Sequence, residues 1–163
     1  MSPQELQDIR DAVAKLCATF PMEYWRELDR ERRSATFRVS GPASAPPADA
    51  ASVARLVPAA VEALGPLGCL INNASIFERD DIASATLESW DSHIAVNLRA
   101  PFFLAQAFAA QVRDSDRGVI VNLIDERVWH LTPHFASYTV SKAGLWTLTQ
   151  TMAMALAPRI RVN

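Results

Sequence analysis

The sequence predicts an α/β fold, a parallel sheet with crossover helices, preceded by a separate N-terminal helical segment. Three observations carry this. From residue 50 onward, stretches with apolar residues three and four apart alternate with short, continuous apolar runs. Those runs, Leu67–Ile71 and Gly118–Ile124, have the length and composition of strands buried on both faces. The order is helix, strand, helix, strand, helix and the start of a strand, and strands separated by whole helices run parallel.

Residues 1–33 form the helical segment. Ser2 and Pro3 suit a cap and first turn, and Leu6, Ile9, Val13, Leu16 and Phe20 make one apolar stripe. Pro21 turns or ends that helix. Glu27 faces Arg30 at helical spacing in a second, charged stretch that also holds Glu31 and Arg33. Residues 34–48 lose all period, and Ser40-Gly-Pro-Ala-Ser-Ala-Pro-Pro has the composition of a linker, after a short strand at Ala35–Val39.

Residues 49–163 form the α/β domain. Asp49 caps a helix over Ala50–Leu64 whose apolar face is Val53, Leu56, Val57, Ala60, Val61 and Leu64. Pro58 should bend that helix or delay its start, and Gly65-Pro66 stops it. The first strand ends in Asn72-Asn73-Ala74-Ser75. Thr86 caps a helix running from Leu87 past Asn97 to Val112, with a kink at Pro101. The second strand places Asp125 at its carboxyl end, and Asp125–Pro133 is a loop. A helix starting at Tyr138 runs to Pro158, and Arg159–Asn163 begins a third strand.

Composition excludes several classes of function. The chain has 163 residues, half of them hydrophobic, and a net charge of −2, which gives no bulk attraction to nucleic acid or an anionic membrane. The N-terminus lacks the basic and apolar pattern of a secretory signal, and Leu145–Ala157 is too short to span a bilayer. Cys17 and Cys69 are far apart, lack metal-ligand spacing and read as free thiols of a cytoplasmic protein. No metal site is expected.

The chemistry-bearing stretch is Tyr138-Thr-Val-Ser-Lys142. Four residues apart on a helix, Tyr138 and Lys142 share one face. An ammonium beside a phenol favours the phenolate, so the Tyr138 pKa should fall from about 10 and let the phenol exchange a proton near neutrality. The plainer reading is a Tyr and a Lys at the solvated start of a buried helix. Asn72–Ser75, Asp125 and Tyr138 all fall at strand carboxyl ends or in the helix that follows, where α/β sheets bind ligands.

In this order and spacing, residues 49–163 resemble the short-chain dehydrogenase/reductase family, whose fold is Rossmann-like. The resemblance implies an NADP(H)-dependent oxidoreductase acting on a small-molecule substrate. It implies Tyr138 as proton donor and Lys142 as the group that lowers the Tyr138 pKa and binds the nicotinamide ribose. It implies Asn97 as the helix residue holding a water of the proton relay. Asn73, Ala74 and Ser75 match the segment whose backbone lies along the cofactor, with Ser75 where Gly is usual. Asp125 stands thirteen residues before Tyr138, where most of the family has Ser. Asp in that place is similar to the pteridine reductase and dihydromonapterin reductase branch, which implies a pterin substrate. A carboxylate accepts from amino and ring N–H groups, whereas a ketone oxygen needs a donor. The plainer reading of Asp125 is a cap or loop carboxylate.

Phe77, Trp129 and His130 either stack on a flat substrate or cover their own loop, and His93 and His134 read as solvated or core histidines. In the family, the helices matching 87–112 and 136–157 pack against a second subunit, which implies a homo-oligomer. Residues 1–33, through Leu6-Gln-Asp-Ile-Arg-Asp-Ala-Val-Ala-Lys-Leu-Cys17, Phe20 and Glu23-Tyr-Trp-Arg-Glu27, resemble the N-terminal helices of acyl-CoA dehydrogenases, but no flavin site follows.

The family opens with a glycine-rich turn that cradles the pyrophosphate at a helix N-terminus. The five glycines (41, 65, 68, 118 and 144) do not make that turn. The family also continues past the point matching Asn163. The expectation is a short-chain reductase domain truncated at both ends, marginally stable and prone to associate. Three readings stay open: a pteridine-type reductase, an inactive fragment or pseudoenzyme that keeps only helix-mediated assembly, and a helical accessory module resting on residues 1–33 alone.

Overall fold

The computed structural model describes residues 50–163. The expectations for the two N-terminal helices, the linker, the Asp49 cap and Cys17 lie outside the described residues. Numbered from the first described element, the helices are α1 (Ala50–Leu64), α2 (Leu87–Ile94), α3 (Ala100–Gln111) and α4 (Ala136–Leu156). The strands are β1 (Cys69–Asn72), β2 (Gly118–Asn122) and β3 (Ile160–Val162), and they form one parallel sheet in the order β1-β2-β3. This is the predicted α/β architecture, a partial Rossmann-like sheet, with β1 lying slightly later in the chain than the apolar run suggested.

Register explains the core. Leu70, Ile120 and Val162 stand side by side across the three strands. With Ile160 they pack against Ala105 and Phe108 of α3, Val112 just beyond it, and Met152 of α4. Gly118 allows α3 to come this close: a Cβ there would stand 3.0 Å from the Phe108 ring and 3.2 Å from Val112. Side chains alternate across a strand, so Cys69, Ile71, Val119 and Val121 point to the opposite face. Among the described residues no helix covers that face, and Ile71 is 51% exposed. The expectation of strands buried on both faces is therefore corrected: the described helices lie on one side only.

The predicted single helix from Leu87 to Val112 is also corrected. It is two α-helices joined by a π-helical turn, Ala95–Arg99. Pro101 has no N–H to offer the Asn97 carbonyl four residues back, and a wider turn placed just before the proline accommodates the loss. Thr86 caps α2 as expected, its Oγ1 accepting from the Ser89 amide at 3.1 Å. Pro58 lies inside α1 and does not delay its start. Among the described residues no helix is long and apolar enough to cross a membrane.

Phe108 is fully buried at the meeting of α3 and β2. Phe108→Ala should cost about 3–5 kcal/mol of stability, read as a lower urea midpoint. An unchanged midpoint would mean that this contact is not the centre of the core.

Candidate active site

The carboxyl ends of β1 and β2 are tied together by a buried amide pair. Asn72 Nδ2 donates to Asn122 Oδ1 at 2.8 Å, and Asn122 Nδ2 donates to Thr149 Oγ1 of α4 at 2.8 Å. These bonds fix α4 against the strand ends, with its first turn beside the chain that leaves β2.

In that first turn, the buried Tyr138 donates its hydroxyl hydrogen to Asp125 Oδ2 at 2.9 Å. Asp125 is also the cap of a short 3-10 turn, Glu126–Val128. Its Oδ1 accepts from the Arg127 amide at 2.9 Å and from Arg127 Nη1 at 3.3 Å. Asp125 is thus the cap of the plainer reading through one oxygen, while the other meets the phenol. Lys142, one turn along α4, is buried and donates from Nζ to the Leu123 carbonyl at 2.8 Å. Its Nζ stands 5.9 Å from the centre of the Tyr138 ring.

The electrostatics correct one expectation. The Tyr138 pKa does not fall; it is pushed up to about 12. Burial is the larger cause, and the Asp125 carboxylate accepting the phenolic hydrogen is the next. The nearby Ser75 hydroxyl and the charge of Arg127 pull the other way without prevailing. Spacing places Lys142 on the right face, but its ammonium is directed at the Leu123 carbonyl while the phenol is directed at a carboxylate. Burial lowers the Lys142 pKa, and the charge of Asp125 opposes that. At Asp125, burial works to raise the carboxyl, but donation from the Arg127 amide, Tyr138 and the Arg127 guanidinium outweighs it and holds the group below its ordinary value. The site at neutral pH is a protonated phenol on an ionised carboxylate.

The other predicted residues divide. Ser75, Asn73 and Ala74 lie exposed just past β1, and the Ser75 hydroxyl donates to the Ile76 carbonyl at 3.4 Å. Asn97 sits in the π turn, fully buried, and does not touch the phenol. Its Oδ1 accepts from the Ile76 amide at 2.8 Å, and its Nδ2 donates to the Ile76 carbonyl at 2.9 Å and to Ser141 Oγ at 3.1 Å. Trp129 packs edge-on against Trp146, and His130 is exposed. His134 pairs with Asp81 at the surface, whereas His93 is buried and hydrogen-bonded.

Phe77 stacks on Phe135 with ring centres 4.5 Å apart, and it meets Tyr138 edge-on at 4.6 Å. The Arg127 guanidinium lies 5.2 Å and 5.0 Å from the two phenylalanine ring centres. Being nearly equidistant, it stands beside the stack, not on an outer face. Arg127 Nε is buried without a hydrogen-bond partner. Arg127 and Phe135 were missed from sequence. Arg127 had a signal, since its amide lies two residues after a capping Asp; Phe135 had none, being a bulky residue in a left-handed conformation, φ 61°.

Comparison with known proteins adds the relatives. A family model described as short chain dehydrogenase matches residues 35–163. The chain is 39% identical over 105 residues to the probable galactose dehydrogenase GalD of Rhizobium meliloti, covering 64% of this chain and 41% of that protein. It superposes with TM-score 0.68 and 44% identity on the Brucella canis FolM alternative dihydrofolate reductase 1 complexed with NADP, covering 74% of this chain and 48% of that one. The Brucella suis FolM structure, also with NADP, gives TM-score 0.66 and 47% identity over 68% of this chain and 47% of that one. The chain thus spans about half the length of these relatives or less.

Tyr138 should remain protonated well above the ordinary phenol value. The sequence has two tyrosines, so near-ultraviolet titration of Tyr24→Phe protein reads Tyr138 by itself. The midpoint should lie near 12, and Asp125→Asn should bring it toward 10. Because the folded value exceeds the ordinary one, the protonated phenol stabilises the fold fully below pH 10, and that contribution is lost as pH rises through 12. A midpoint below 10 would show that Lys142, not burial and Asp125, governs the phenol.

Proposed function

The chain belongs to the short-chain dehydrogenase/reductase family, and on that premise we propose that it is the proton-transfer half of an NADPH-dependent reductase of pteridine-like rings. The observation that carries this is the Tyr138–Asp125 hydrogen bond with Lys142 one turn away. A carboxylate held ionised beside a phenol suits a ring that offers N–H donors. The two Brucella structures, described as alternative dihydrofolate reductases with NADP, support the same class, since dihydrofolate carries a pteridine ring.

The residues present suit the nicotinamide end of such a cofactor. The Lys142 ammonium is buried yet donates one described hydrogen bond, which leaves two N–H groups to give to ribose hydroxyls. Exposed Asn73 and Ala74, with Ser75, supply backbone beside the same strand ends. When bound, the cofactor supplies the hydride. Tyr138 supplies the proton. Asp125 Oδ2 orients the ring by accepting its N–H, which weakens or replaces its bond to the phenol. That reduces the part of the raised Tyr138 pKa that the hydrogen bond to the carboxylate causes, and makes Tyr138 a better acid when substrate is in place. The Asn97 side chain is committed to Ile76 and Ser141. Its main-chain carbonyl, which Pro101 cannot serve, is then the candidate for holding a relay water. Phe77, half exposed and against the Tyr138 ring, would border the bound ring.

A second reading, a fragment that keeps only assembly through its helices, is supported by the uncovered sheet face and by exposed apolar side chains at Leu87, Trp90, Phe102, Phe103, Val140 and Met154. On either reading, a homo-oligomer through α2, α3 and α4 would bury them.

The deciding measurement is NADPH binding to the purified chain by fluorescence or calorimetry, with Lys142→Ala as control. Saturable binding that the substitution weakens by about tenfold or more, a loss of some 1.4 kcal/mol, is the expected result, and dihydrofolate or biopterin turnover then follows as an assay. A folded chain that binds no NADPH would leave the assembly reading.

A further inference from the structure

The helix that carries Tyr138 starts without a local cap. Phe135 precedes it in a left-handed conformation and has no side-chain oxygen to accept an amide hydrogen. The first amides of α4 are bonded instead to Asp80, 57 residues from Ser137 in sequence and located between β1 and α2. The Asp80 carbonyl accepts from the Ala136 amide at 3.1 Å, and Asp80 Oδ1 accepts from the Ser137 amide at 3.1 Å. Asp80 Oδ2 accepts from the Ser137 hydroxyl and, at 2.6 Å, from the Ser89 hydroxyl.

His93 completes the group. Its Nε2 accepts from the Glu78 amide at 3.2 Å, so the ring hydrogen is on Nδ1. The Ser137 hydroxyl hydrogen goes to Asp80, so Nδ1 donates to Ser137 Oγ at 2.7 Å and shares the Ser89 carbonyl at 2.9 Å. Hydrogens therefore run one way, from His93 to Ser137 to Asp80. Asp80, His93 and Ser137 are all buried. A buried carboxylate is costly unless donors surround it. Here it has three, and it stands at the positive end of a 21-residue helix. Burial works to raise the Asp80 pKa, but the Ser137 and Ser89 hydrogen bonds and the Ser137 amide outweigh it and hold the group ionised.

We propose that Asp80 is a positioning residue for Tyr138: through Ser137, and braced by His93, it fixes the first turn of α4 at the angle that puts the phenol on Asp125. Ser137 is the residue next to Tyr138, so its two bonds to Asp80 set where the tyrosine backbone begins. The phenol oxygen lies at the end of a long side chain, and a small rotation of that turn breaks a 2.9 Å hydrogen bond. The inference rests on the reading of Tyr138 as proton donor, but it is tested without cofactor.

In Tyr24→Phe protein, Asp80→Ala should lower the Tyr138 midpoint from about 12 toward 10, because the loosened phenol loses Asp125 and part of its burial. Asp80→Asn keeps an acceptor for the Ser137 amide and should fall between. Asp114→Ala, which removes an exposed carboxylate on the turn before β2, should leave the midpoint in place; an equal shift there would mean that net charge is acting, and the proposal fails. A folded Asp80→Ala protein with the parent midpoint also overturns it, since Asp80 then only caps the helix. If Asp80→Ala does not fold, Ser137→Ala decides: a lowered midpoint supports the proposal and an unchanged one overturns it. A folded parent chain that binds no NADPH, with the Asp80→Ala shift still present, would defeat the cofactor reading and spare this one.

Discussion

The hydrogen bond from Tyr138 to Asp125 is possible because two separate pieces of chain arrive at the same place with little freedom left. Asp125 is delivered by β2 and then held by its own capping contacts with Arg127, so one carboxylate oxygen is occupied and the other points at the phenol. Tyr138 is delivered by α4, which is held along its length: Lys142 to Leu123, Thr149 to Asn122, Met152 in the core. Neither side chain sets the distance. The sheet and helix do, and the carboxylate and phenol report it.

Much of this was legible in the sequence, for identifiable reasons. Strong apolar periods gave the order of elements, and the turn chemistry of Gly65-Pro66 and Thr86 gave boundaries. Tyr138, Lys142 and Asp125 converge because parallel strands present their carboxyl ends to one side. The direction of the Tyr138 pKa was not legible. Helical spacing says which side chains are neighbours but not which polar atom each is aimed at, and here the ammonium faces a backbone carbonyl while the phenol faces a carboxylate. The π turn was half legible: Pro101 signals trouble for the helix, but where the extra residue is absorbed depends on packing around Asn97. Asp80 and Ser137 could not be found by any local pattern, because the pair closes a loop of 57 residues.

Asn97 shows how one residue can be structural and still matter to chemistry. Its amide joins the chain after β1 to α4 through Ile76 and Ser141, and the Ser141 hydroxyl in turn donates to the Tyr138 carbonyl at 2.7 Å. The backbone of the tyrosine is thus gripped from behind at its own carbonyl and from the front at the preceding residue. Two independent clamps on one turn leave the ring little room to wander, which is the condition for a fixed donor–acceptor distance.

Asp80, His93 and Ser137 are the three residue types of a hydrolytic triad, gathered in one buried spot. A search for such triads by proximity alone would stop here. In a working triad the imidazole takes the serine hydrogen and the carboxylate steadies the imidazole. Here the serine stands in the middle, gives its hydrogen to a carboxylate that is too weak a base to strip it and receives one from the imidazole, and its oxygen is buried with no open side from which to attack. The same three side chains make a nucleophile in one order and a rivet in the other, and the direction of the hydrogens tells them apart.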